Sequence, residues 1–122
     1  MEDKRKDARV KSVNLLSYVC IDENSNPLDQ GMGKTLDISK GGLLMETGVR
    51  IDARYILLMS LNIKEELIQI KGKVVYCKKA GPKIFHSGIR FVETDDKIRA
   101  VVSDMIKVFI KARKTDDEYY KK

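Results

Sequence analysis

The chain has 122 residues, a length that suits one domain with a modest single core. Hydrophobic residues make up 43% and charged residues 34%, a globular composition that argues against a disordered or fibrous chain. The formal net charge of +6 points weakly to an anionic partner, and no apolar run approaches the roughly 20 residues of a membrane helix.

Residues 1–9 are polar and basic and read as a flexible arm. No apolar segment follows Met1-Glu2-Asp3-Lys4-Arg5, so no signal peptide is expected, and the expected location is the cytoplasm. Val13, Leu15, Ser17, Val19 and Ile21 share one side of a period-two pattern, which predicts a strand. Residues 22–27 are turn formers. A second strand is predicted over 31–38, with Met32, Leu36 and Ile38 on one face. A turn at 39–42 leads to a short apolar strand, Leu43-Leu44-Met45. Alternation over 55–63 and again over 67–76 predicts two more strands, the latter with Ile68, Ile70, Val74 and Tyr76 on one face. Gly81-Pro82 marks a loop, and 87–92 reads as the last strand.

The period then changes. Thr94-Asp95-Asp96 offers N-cap chemistry, and Ile98, Val101, Val102, Met105, Ile106, Phe109 and Ile110 recur at three- and four-residue steps. That predicts an amphipathic helix of about four turns, followed by a frayed polar tail over 114–122. Six or seven short strands and one terminal helix imply a small, mostly β antiparallel barrel with a helix packed on it, over residues 10–113.

Enzymatic readings are weak. His86 is the only histidine and has no carboxylate near it in sequence. Cys20 and Cys77 form no metal-type spacing and read as reduced packing residues. No Walker loop or dinucleotide fingerprint is present. No cofactor or metal is expected.

Three elements carry positive signals. Arg5 and Arg9 are two guanidinium forks four residues apart, suited to phosphate or to the O6 and N7 edge of guanine. Among 24 Lys and Arg residues such a pair also arises by chance. Asp37-x-Ser39-x-x-Gly42 supplies a carboxylate for a guanine edge, a hydroxyl for phosphate, and glycines at 41 and 42 that permit positive φ and close approach. The competing reading is a hairpin turn whose side chains bond their own backbone, and the two stand level. In Gly88-Ile89-Arg90-Phe91, Ile89 and Phe91 feed the core while Arg90 faces outward, either to solvent or to an anion.

In order and spacing these elements resemble the PilZ domain family, over about 4–113. Arg5 and Arg9 match its Arg-x-x-x-Arg motif, and Asp37, Ser39 and Gly42 match its Asp/Asn-x-Ser-x-x-Gly motif. Gly88 to Phe91 matches a common Gly-hydrophobic-Arg-Phe strand. The resemblance implies a six-stranded antiparallel barrel with a C-terminal helix. It also implies a bacterial, non-enzymatic receptor for the second messenger cyclic di-GMP. Arg5 and Arg9 would grip guanine and phosphate, Asp37 read a guanine edge, Ser39 contact phosphate and Gly42 shape the turn, with Lys4, Gly41 and Arg90 as further candidates. The arm would close on binding, and a downstream protein would read the change. Lys4 stands where many members carry another Arg, Ala8 where Pro is frequent, and the chain has no Trp. Competing expectations are a PilZ-like interaction module that binds no nucleotide, and a basic barrel for nucleic acid. The second lacks the row of exposed aromatics that single-strand binders use.

Overall fold

The computed structural model describes residues 15–61 and 66–121, and the side chains of these apart from 60, 61 and 112–121. Six strands form a closed antiparallel barrel: β1 (Leu15–Ile21), β2 (Pro27–Ser39), β3 (Gly42–Thr47), β4 (Tyr55–Leu61), β5 (Leu67–Gly81) and β6 (Ile84–Phe91). Their order around the barrel is β1-β2-β3-β6-β5-β4, with β4 closing on β1. A helix, α1 (Asp96–Lys121), follows.

The fold matches the barrel-plus-helix expectation, but several strand faces do not. In β1 the inward residues are Leu16, Tyr18 and Cys20, while Leu15 and Ser17 are exposed and Val19 is half-buried. The alternation through Leu15, Ser17, Val19 and Ile21 therefore picks out mostly the outer face. Ile21 is buried as well, but it lies outside the core cluster that holds Leu16, Tyr18 and Cys20; the pairing with β2 slips by one residue at this point, Leu28 being the extra one on β2. In β2, Met32 is exposed and the buried positions are Gly33 and Thr35; a second shift, between Thr35 and Asp37, returns Ile38 to the core side. In β5, a shift between Val74 and Tyr76 turns Tyr76 outward, away from Ile68 and Ile70.

Met45, Ile56, Leu58 and Ile70 are fully buried at the centre of the barrel. α1 lies against β2 and β5, which stand on opposite sides of the closed sheet, so it spans a mouth of the barrel. Among its described side chains Val101, Val102 and Phe109 are buried, whereas Ile110 is exposed. Asp95 caps the helix, its Oδ1 accepting the Ile98 amide at 2.8 Å. Residues 114–121 of the tail expected to be frayed over 114–122 belong to the helix, and Lys122 lies outside the described residues. Among the described residues no helix is long and apolar enough to cross a membrane.

Candidate functional site

Lys40 and Gly41 form the two-residue loop of the β2–β3 hairpin, and Ser39 pairs with Gly42 across it. Strand pairing then carries two rows of residues across the outer face of the barrel. The first runs Ser39 (β2), Gly42 (β3), Arg90 (β6), Lys73 (β5). The second runs Asp37, Leu44, Gly88, Tyr76 on the same four strands. Residues directly opposite in an antiparallel ladder share a face, and neighbouring strands lie about 4.8 Å apart. Arg90 therefore stands about 10 Å from Ser39, on the same surface. Asp37, Ser39 and Arg90 are exposed and Lys73 is half-buried.

The local bonds are those of the turn reading. Asp37 Oδ1 accepts its neighbour's amide, from Ile38, at 3.0 Å, and Ser39 Oγ donates to the Gly42 carbonyl at 3.3 Å. Each bond uses only part of its side chain's capacity. A carboxylate has a second oxygen, and a hydroxyl that donates still accepts. The turn geometry thus pre-orients both side chains while leaving lone pairs for a ligand.

The glycines act differently from the expectation. Neither Gly41 nor Gly42 has positive φ. Gly42 is required by packing, because a Cβ there would collide with the Ile89 carbonyl on β6. A Cβ at Gly41 would meet open space, and its carbonyl accepts the Phe91 amide at 2.9 Å. Gly88 is likewise a contact glycine: the Tyr76 ring lies over it, on the outer face.

Arg90 and Lys73 place two positive charges directly opposite each other, an arrangement that costs free energy without an intervening anion. Lys73 and Tyr76, which continue the two rows onto β5, were not among the candidates read from the sequence. Lys73 was legible as a polar residue out of phase with Ile68 and Ile70, whereas Tyr76 was hidden by the β5 register shift. His86, which has no acid near it in sequence, meets Glu46 of the neighbouring strand at 3.1 Å. Among the described residues no group of three or more His, Cys, Asp or Glu is placed to hold a metal, and Cys20 and Cys77 are free thiols. Lys4, Arg5 and Arg9 lie outside the described residues, as does the expectation of a flexible arm over 1–9.

A closed six-stranded antiparallel barrel followed by one helix defines a small β-barrel domain. The PilZ domain model matches residues 3–107, which cover both the Arg5/Arg9 pair and the Asp37–Gly42 turn, and the chain belongs to that family. No curated protein matches the chain.

Proposed function

We propose that this protein is a cyclic di-GMP receptor without catalysis of its own, acting in the bacterial cytoplasm. The observation that carries the reading is the shared outer strip. Asp37 and Ser39 end β2 just before the β2–β3 turn, and the facing cations Arg90 and Lys73 stand next to it across Gly42. Cyclic di-GMP carries guanine edges for the carboxylate and phosphates for the cations. In this reading a phosphate relieves the Arg90–Lys73 repulsion and the half-exposed Tyr76 ring offers a face to a base.

Arg5 and Arg9 complete the site. Leu15 pairs with Lys34 on β2, so the preceding chain enters the barrel about 10 Å from Asp37. Arg9 is six residues upstream of Leu15, a reach of up to about 20 Å. Ligand binding draws the 1–9 segment onto the strip, and a partner protein responds to the altered surface. Calorimetric titration with cyclic di-GMP tests the reading and gives the stoichiometry. Saturable binding is expected, and an absence of binding would leave the interaction-module reading in its place.

A further inference from the structure

We infer that a second anion site, separate from the Asp37 strip, lies between the 48–54 connection and β5. β4 begins at Tyr55, opposite Lys73, whereas β5 continues to Gly81. The connection from β3 therefore folds along β5 past the end of β4. Its backbone is pinned there: Arg54 O accepts the Val74 amide at 2.8 Å, and the Ile51 amide donates to Cys77 Sγ at 3.5 Å. Between connection and strand an open cavity of about 510 Å³ remains. That volume falls in the range of small-molecule sites, roughly 300–1,000 Å³.

The chemistry of the walls is one-sided. Arg50, Arg54 and Lys73 line the cavity against a single carboxylate, Asp52. Arg50 is held in place, with Nη1 donating to the Cys77 carbonyl at 3.3 Å and the guanidinium 5.0 Å from the centre of the Phe85 ring. A guanidinium has five N–H donors, so this anchoring leaves others for a ligand. Arg54 reaches only Glu23 at 3.7 Å among the described residues, an exposed and weak pairing that a ligand displaces readily. Two forks and an ammonium around one opening suit a phosphate-type oxyanion. Val74 and the Tyr76 ring add apolar wall for an organic body attached to it. The ligand class is therefore a small phosphorylated molecule.

Lys73 and Tyr76 border both sites, but Arg50 and Arg54 lie on the 48–54 connection and line this cavity alone, and this separates the tests. The full chain is titrated with pyrophosphate and, separately, with adenosine 5′-monophosphate, following backbone amides by NMR. Saturable shifts are expected at 50–54 and 73–77. Arg54→Ala should weaken them about tenfold or more, since 1.4 kcal/mol is a factor of ten. Asp37→Ala should leave them unchanged, and Arg54→Ala should leave cyclic di-GMP binding unchanged. Tighter binding of the monophosphate than its single charged group predicts would support the organic-body wall. Shifts scattered over surface lysines without saturation, or an Arg54→Ala variant that binds like wild type, would overturn the site. Equal loss of pyrophosphate and cyclic di-GMP binding in Arg54→Ala would overturn its separateness. Failure of cyclic di-GMP to bind at all would count against the receptor reading, and leave this pocket to be judged by the pyrophosphate shifts.

Discussion

Arg90 on β6 and Lys73 on β5 face each other directly across the ladder, both on the outer wall of the barrel. Like charges so placed oppose each other by an amount comparable to a favourable cross-strand pair, about 0.2–1 kcal/mol. Arg90→Gln should therefore raise the urea midpoint of the ligand-free protein slightly while weakening cyclic di-GMP binding. A variant that loses both stability and affinity would show Arg90 to be structural.

The two glycines of the turn should respond in opposite ways. Gly42→Ala forces a Cβ against the Ile89 carbonyl, and overpacking of this kind costs about 1–3 kcal/mol. Gly41→Ala meets open space at negative φ and should lie between neutral and about 1 kcal/mol stabilising. Urea denaturation of the two variants checks the contrast.

Asp95 caps α1 through the Ile98 amide. Asp95→Ala should cost about 1 kcal/mol. Because α1 buries Val101 and Val102 against the barrel core, that loss should appear in the global unfolding midpoint rather than as local fraying alone.

Stability should also fall in alkaline solution. Burial, and then the charges of Asp29 and Asp52, raise the Cys20 thiol above its ordinary value of 9.0. The folded state thus holds its proton to higher pH than the unfolded state. The associated stability is fully present below about pH 9 and is lost as pH rises from there through the folded pKa. Tyr18 is raised mainly by burial as well, and adds to the decline above about pH 10. Urea midpoints measured from about pH 8 to about pH 10 should decrease, and Cys20→Ala should flatten the first part of that slope.

The barrel was legible because period-two runs, turn formers and a change to helical period appear in order along the chain. The faces were less so. Ile21 suggested that Val19 and Ser17 point inward, yet Leu16, Tyr18 and Cys20 hold the core, and the pairing with β2 slips by one residue at Cys20/Ile21. The same happens at Thr35/Asp37 and at Val74/Tyr76. A bulge is set by how two strands fit together, and one strand's pattern does not contain it. The site divides similarly. Asp37, Ser39 and Arg90 stood out by residue type and spacing, but their alignment across Gly42 depends on the β3–β6 pairing, which joins strands far apart in sequence. Gly42 looked like a conformational glycine, and its actual constraint is the Ile89 carbonyl from another strand.

The most direct test of the receptor reading is calorimetric titration of cyclic di-GMP into wild type, Arg9→Ala and Asp37→Ala, with folding of each checked by its urea midpoint. A good bidentate base contact is worth about 1–3 kcal/mol, so each variant should bind roughly ten- to a hundredfold more weakly at near-unchanged stability. Affinities equal to wild type in both variants would contradict the assignment of the Asp37 strip and the Arg5/Arg9 pair as one nucleotide site.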